Sequence, residues 1–428
     1  MTSVATPDSA RPGVAAVAQT DGLVTTLLHG AIVVNVVIST SLFNETLVPP
    51  ALASIQQYFT MVIWLVIAVC AASKTPILRW EIGTDLLALL AFYGFAVASV
   101  LWSDLSAASL LKAAALTLTT ICAGLLATRI RIEDLVADIN IGLLVICLAS
   151  LFAVAFFPAI GITQEWSHEG NWQGVFESKQ SLGIIGAIFM FFSAYQWLIR
   201  RNHLWFAITF LPAAACAIGS GSRGGGALAL VACLCVYLAG RSSRIAMALS
   251  FAPFGLALFA SALIAWLFST GGDSFEVLGS KIDLTQRTYI WQHALAYFGE
   301  RPILGFGING FWTIPEIYLG FKREHGWVLD NFHSGYIAIL LETGLAGFLL
   351  FLSVTFLFGV RMVATIRAQA MPRSRIVALI GFLLLMYMIN LTETIFLRST
   401  SFVSILIFIF MVNAALPVSR GVEQETAP

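Results

Sequence analysis

Apolar runs of about 20 residues recur along almost the whole chain, and each is long enough to cross the hydrocarbon core of a bilayer as a helix. About twelve such runs can be counted, centred near residues 34, 61, 93, 117, 148, 190, 211, 232, 257, 347, 383 and 408. Hydrophobic residues make up 59% of the 428 and charged ones only 11%, so the chain is mostly membrane bundle with no room for a separate soluble domain. The pattern predicts an all-α integral membrane protein divided into a cytoplasmic tail (1–22), transmembrane helices one to nine (23–269), one long external segment (270–333), helices ten to twelve (334–417) and a second cytoplasmic tail (418–428). The first 22 residues are polar, Ala-rich and Pro-containing, without the short apolar core and cleavage site of a signal peptide.

Lys and Arg set the expected orientation. With the N-terminus inside, the cytoplasmic connections hold Lys74 and Arg79, Arg129 and Arg131, Arg200 and Arg201, Arg241 and Arg244, and Arg361, Arg367, Arg373 and Arg375. The opposite short loops hold very few, which is the positive-inside bias. Both termini are then cytoplasmic, and the long segment lies outside with the loops near 161–180, 219–224 and 391–400.

Formal net charge is zero and the pI near 7, so bulk charge implies neither nucleic acid nor an acidic partner. All six cysteines lie in apolar runs, away from the external loops where a disulfide would form, and Cys233 and Cys235 read as small packing residues. No His/Cys cluster has zinc spacing, and no Asp-x-Asp pair is placed to hold a divalent metal against a diphosphate. A mechanism without metal or cofactor is expected.

Residues 270 to 333 are the one long stretch that cannot sit in lipid, and they hold the densest run of Arg, His, Trp and Gly; any chemistry is expected here and in the loops beside it. Gly219-Ser-Gly-Ser-Arg-Gly-Gly-Gly226 precedes an apolar run. Its backbone amides and the following helix N-terminus suit an anion, with Arg223 in the middle; a tight turn with a snorkelling arginine is the alternative. From Asp283 to Phe298, Asp283 and Gln286 have capping-box spacing, and Ile290, Trp291, Ala294, Leu295 and Phe298 recur at helical spacing. This predicts a surface amphipathic helix with Arg287 in its first turn, as a ligand group or a headgroup anchor; the aromatic stripe reads as packing and His293 as solvated.

A Gly-rich turn follows at 302–310, and then His333, where the segment re-enters the membrane. An imidazole there can take a proton from a bound hydroxyl or be purely structural. Glu342, inside the next apolar run, must pair or face a polar cavity. Lys179 stands just before helix six, and Glu393 and Arg398 stand at the outer end of helix eleven, spaced to pair with each other.

The order of Trp-x-Gly-x-Phe-x-x-Lys-x-x-Leu-Gly (172–183), Gly-Ser-Arg-Gly-Gly (221–225), Arg-x-x-x-Trp with Pro-Ile-Leu-Gly-x-Gly (287–307), and His-Ser-Gly-Tyr with Leu-Glu-Thr-Gly-Leu-x-Gly (333–347) resembles the O-antigen ligase and polymerase superfamily. Within it, the chain looks most like exopolysaccharide polymerases of the ExoQ type, although Gln180 follows Lys179 where that type has Asn. The resemblance covers about residues 165 to 400.

It implies a GT-C-like membrane glycosyltransferase of the bacterial inner membrane. The donor would be a polyprenyl-diphosphate-linked oligosaccharide and the acceptor a second glycan, with a chain-length regulator and export machinery as partners. Carried over, Arg223 and Arg287 hold the diphosphate and His333 is the general base, with inversion at the anomeric carbon. Lys179, Glu393 and Arg398 become candidates for diphosphate and sugar contacts, and Trp291, Trp312 and Trp327 for stacking on sugars. A ligase with the same donor chemistry remains open, as does a transporter or lipid-linked glycan flippase. Polar groups gathered at one face and the absence of repeated halves favour an enzyme.

Overall fold

The structure is a computed structural model that describes residues 12–40, 55–78, 81–104, 106–164, 169–270, 274–277, 280–283, 287–326, 329, 331–399 and 401–417. Each predicted apolar run is helical. The helices are α1 (Pro12–Thr40), α2 (Gln56–Ala72), α3 (Thr84–Ala98), α4 (Ser106–Ala127), α5 (Ile132–Phe156), α6 (Lys179–Arg200), α7 (His203–Gly219) and α8 (Arg223–Arg241). A ninth membrane segment is made of α9 (Ser243–Leu249) and α10 (Ala252–Thr270). After the external segment, with α11 (Arg287–Ala296) and α12 (Pro315–His325), come α13 (Gly335–Ala368), α14 (Arg373–Ile389) and α15 (Phe402–Ala415). Eight of these segments are long and apolar enough to cross a membrane by length and composition; α2, α7, α14 and α15 are shorter.

Burial explains how the shortest still belongs to the bundle. The 14 residues of α15 rise only about 21 Å against a hydrocarbon core of about 30 Å, but every residue from Phe402 to Ala415 is buried. It passes through protein and not lipid. α6 and α14 share this central position, locked by Phe192 stacked on Phe382 (centroids 5.4 Å apart) and Phe382 against Phe410 at 4.1 Å. On outer helices Leu65, Leu234 and Phe259 stay exposed, as lipid-facing side chains do.

Contacts between connections show that successive helices alternate in direction. At the end that carries the basic loops, the Ile77 amide donates to the Thr128 carbonyl (2.8 Å), and Ser374 Oγ donates to Glu133 Oε1 (3.0 Å). At the other end, Trp102 Nε1 donates to the Leu304 carbonyl (3.0 Å), and the Trp172 amide to that of Gly219 (2.9 Å).

The structure departs from expectation near the N-terminus and in the external segment. α1 begins at Pro12, inside the stretch read as a tail; residues 1–11 and 418–428 lie outside the described residues. An antiparallel ribbon, β1 (Ser274–Val277) with β2 (Ser280–Asp283), interrupts the helical external segment. Asp283 pairs with Ser274 at the end of β2, so the helix begins at Arg287 and not at 283, because the ladder takes the backbone groups that a helix start would use. Its expected capping partner Gln286 is not among the described residues.

At the membrane boundary α13 is broken. Its 34 residues would rise about 51 Å as one rod, but Gly344 is non-helical, with φ 64° and ψ −170°. The stretch Pro302–Gly307 lies against the break and exchanges four backbone hydrogen bonds with it. The Phe306 and Gly307 amides donate to the Leu341 and Glu342 carbonyls (both 2.9 Å), and the Leu345 and Ala346 amides donate to those of Pro302 (2.9 Å) and Ile303 (3.1 Å). Non-helical backbone at this depth is tolerated only where protein satisfies its polar groups. A Cβ on Gly344 would sit 2.2 Å from the Ile303 carbonyl oxygen. Gly344→Ala is therefore expected to destabilise by about 1–3 kcal/mol, read as a lowered unfolding temperature in detergent. Gly94→Ala, at a helical position with nothing within 4 Å, should leave that temperature unchanged.

Candidate active site

His333 is held by its backbone before its side chain is considered. Its φ of 47° is left-handed, a conformation fixed by the Asn331 side chain, whose Oδ1 accepts from the His333 amide at 3.2 Å. Just before it, the Phe332 carbonyl accepts from Trp291 Nε1 at 2.9 Å, which ties the loop to α11. Just after it, the Gly335 amide is shared between the carbonyls of Asn390 (2.9 Å) and Glu393 (3.1 Å). A Cβ at Gly335 would lie 1.7 Å from Asn390 Oδ1, so only glycine lets the His-Ser-Gly loop dock on the turn after α14.

That docking brings three predicted residues together. Glu393 Oε1 accepts from Arg287 Nη2 at 3.0 Å, and Glu393 Oε2 lies 3.4 Å from His333 Nδ1. The second contact is close enough for an ion pair but lacks hydrogen-bond alignment, and Nδ1 is enclosed without a hydrogen-bond partner. The carboxylate is largely covered (14% exposed), whereas Arg287 and His333 keep 29% and 26% of their side-chain surface. One partly covered anion thus lies against two accessible groups of complementary chemistry, a guanidinium and an imidazole.

The expected Glu393–Arg398 pair does not form. Arg398 Nη1 instead donates to Glu342 Oε1 at 3.2 Å and to Asn309 Oδ1, because the turn after α14 faces its two charges toward different neighbours. Glu342 is 3% exposed in its side chain and sits two residues before the Gly344 break, so Arg398 supplies the partner that a carboxylate at this depth requires. Asn309 was not foreseen. Its signal in the sequence is the Gly-Ile-Asn-Gly turn, where it takes φ 53°.

The other predicted group assembles around the glycine loop. Ser222 packs against Gly183, where a Cβ would meet its Cβ at 2.6 Å, and Trp172 packs on Gly219. Gly221, at φ 61°, faces Asn171. Lys179 opens α6 behind Ser178, whose Oγ accepts from the Ser181 amide. The loops around Lys179 and Arg223 are therefore one docked unit, on the same end of the bundle as His333. The Arg223 side chain lies outside the described residues.

Two aromatic expectations are corrected. Trp291 is buried at 3% exposure, and both its ring and its N–H are used by the protein, so it presents no face to a sugar. His293 is enclosed and not solvated: Nε2 donates to the Ile317 carbonyl (3.0 Å), and Nδ1 lies 3.2 Å from Glu324 Oε2. The ring also stacks on Trp312, which packs against Phe311, Phe321 and Phe332, so both residues join α11 to α12. Trp327 lies outside the described residues.

Residues 208–352, which include Arg223, Arg287, His333 and the Gly344 break, match the family model described as O-Antigen ligase. The chain is also 25% identical over 295 residues to the exopolysaccharide production protein ExoQ of Rhizobium meliloti (strain 1021). That match covers 63% of this chain and 64% of the relative, slightly less than two thirds of its length. Both matches fall in the O-antigen ligase and ExoQ-type superfamily, to which the order of motifs also points.

Removing Arg398 leaves Glu342 buried without its cation, an imbalance that costs about 3 kcal/mol. Arg398→Ala is expected to lower thermal stability accordingly, and Glu342→Gln in the same chain should restore most of the loss.

Proposed function

We propose that this protein lengthens a polysaccharide by joining polyprenyl-diphosphate-linked oligosaccharide units on the outer face of the bacterial inner membrane. The observation that carries this reading is the shared Glu393 carboxylate, which holds Arg287 and His333 side by side at the end of the bundle where the Arg223 loop also lies. The likeness to an exopolysaccharide production protein favours chain extension. The match to a model described as O-Antigen ligase keeps transfer of a finished chain as the second reading, with the same donor chemistry.

In this mechanism the charge of Glu393, 3.4 Å from Nδ1 of His333, favours the tautomer with the proton on Nδ1 once that contact tightens around bound substrate, and leaves the Nε2 lone pair for the acceptor hydroxyl. As the proton of that hydroxyl moves to Nε2, the acceptor oxygen forms a bond to the anomeric carbon from the face opposite the diphosphate. The bond from that carbon to the phosphate oxygen breaks, its electron pair leaves with the lipid diphosphate, and the configuration inverts. Arg287 commits one N–H to Glu393 and keeps four for the growing negative charge, which Arg223 and the amides of its loop share. Lys179, at the edge of that loop, adds a cation near the diphosphate. The two arginines fill the role that a divalent metal plays in other diphosphate enzymes.

With the basic loops on the inner side, both termini are cytoplasmic. A chain-length regulator and export machinery would act on the product.

The first test is the glycan profile of cells lacking the protein. Single repeat units accumulating on the lipid carrier support polymerisation, long chains retained on the carrier identify a ligase, and units trapped on the inner leaflet identify a flippase. His333→Ala is expected to lower polymer formation by about 10²–10⁴-fold at unchanged membrane level. Arg287→Lys should also fail, since an ammonium cannot hold carboxylate and diphosphate together through a planar fork; full activity in that variant would remove Arg287 from the mechanism. Activity is expected to persist in a chelator, and loss restored by magnesium would overturn the metal-free step.

A further inference from the structure

In the external segment α11 and α12 are clasped by one enclosed histidine. His293, with 7% of its side chain exposed, points both ring nitrogens at acceptors. Nε2 lies 3.0 Å from the Ile317 carbonyl oxygen and Nδ1 lies 3.2 Å from Glu324 Oε2. A neutral imidazole carries one N–H and one lone pair, so in either tautomer one of these oxygens would face a lone pair. The carbonyl has no proton to give, and Glu324 is 60% exposed, in water where carboxylates are ionised at neutral pH. Both contacts are satisfied together only by the imidazolium, which donates from each nitrogen.

Charged and titratable neighbours come from both helices. Glu324 belongs to α12, and His325 Nε2 lies 3.8 Å from the same carboxylate oxygen. On the side of α11, the Tyr297 ring lies 5.4 Å from that of His293. Burial first, and then Glu300, Glu324 and Glu316 against the opposing Arg323, raise the Tyr297 hydroxyl above its ordinary value, so it stays a neutral neighbour. Phe321 and Trp312 supply uncharged rings.

The clasp reaches the proposed site through those rings. Trp312 stacks on His293 with centroids 6.3 Å apart and planes at 10°, and it packs on Phe332 at 5.3 Å. Phe332 adjoins His333, and its carbonyl accepts from Trp291 of α11, the helix that opens with Arg287.

We infer that His293, as an imidazolium, is a positioning residue: it clasps α12 to α11 and thereby supports the loop that carries His333, and loss of its proton loosens both. This rests on the reading of His333 as general base. A base must be neutral to accept a proton, whereas the clasp must be charged, so the two histidines give transfer an acid limb and an alkaline limb.

The test follows amide hydrogen exchange over residues 315–325 and 331–335 of the purified full chain in neutral detergent. It is corrected for the intrinsic rate and made at about pH 5.5 and about pH 8.5, on either side of the range in which imidazoles titrate. Protection supplied by an imidazolium is present at the lower pH and lost at the higher. In the native chain it is expected to fall about fivefold, the loss of one hydrogen bond. Glu324→Gln introduces an amide that can donate to Nδ1 of a neutral ring or accept from a charged one, so its protection should stay level. His293→Phe, which keeps a stacking ring without either donor, should be low at both values, and His325→Gln should follow the native chain. With lipid-linked oligosaccharides extracted from cells lacking the protein as donor, transfer should lose its alkaline limb in Glu324→Gln. Protection that is level in the native chain, or as steep in Glu324→Gln, overturns the clasp. An alkaline limb unchanged in Glu324→Gln overturns the positioning role. No transfer by the native chain at any pH overturns the proposed reaction instead, and exchange, which needs no substrate, still decides the clasp. Glu324→Gln alters an exposed side chain, so the comparison stands even where His293→Phe does not fold.

Discussion

A polypeptide in lipid cannot leave backbone amides and carbonyls unpaired, since each costs several kcal/mol there. The break at Gly344 is where this protein meets that constraint most directly. Four hydrogen bonds between residues 302–307 and 341–346 replace those that a continuous helix would have made. Because the exchange is complete, the break is a built junction. It lets the first part of α13 depart from the membrane-crossing direction, so that His333 enters from the external segment and Glu342 meets Arg398. Glycine is required on both sides, at 305 and 344, because each backbone occupies the space a side chain would need.

Around this junction, charge is arranged in two separate groups with different roles. Glu342 with Arg398 is enclosed and joins the junction to the turn after α14. Glu393 with Arg287 and His333 is more open, and its anion lies against two accessible side chains. The desolvation that makes a lone buried carboxylate costly is met in the first group by a guanidinium. In the second it is met by side chains that still face outward.

The apolar helices were legible because hydropathy over some 20 residues reports directly on burial in lipid. The gathering of polar motifs on one face followed from the same count. The break was not legible: residues 334–368 read as one apolar run, and nothing local shows that Leu-Glu-Thr-Gly is opposed by Pro-Ile-Leu-Gly from another part of the chain. Pairing of charges escaped for a similar reason. Glu393 and Arg398 are neighbours in sequence, whereas Arg287 stands 106 residues away from its true partner. The period of the 290–298 stripe identified Trp291 as packing, while the general suitability of tryptophan for sugars pointed elsewhere; the buried ring agrees with the period. His293 lies off that stripe, but α12 covers it, and period cannot anticipate what packs on the outer face of a helix.

The exchange of hydrogen bonds at Gly344 also has a mechanical side. An ordinary kink can flex, since the two halves of the rod share only a bond or two across it. Here each half is bonded to a third piece of chain, in both directions, so the short half cannot tilt without dragging residues 302–307 along. Those residues are in turn fastened to α3 and the turn after it through Trp102, and Ser99 holds the next amide, that of Ile308. The joint therefore behaves as a gusset. It braces the loop that carries His333 against the first helices of the bundle, and motion in the external segment has to arise further along the chain.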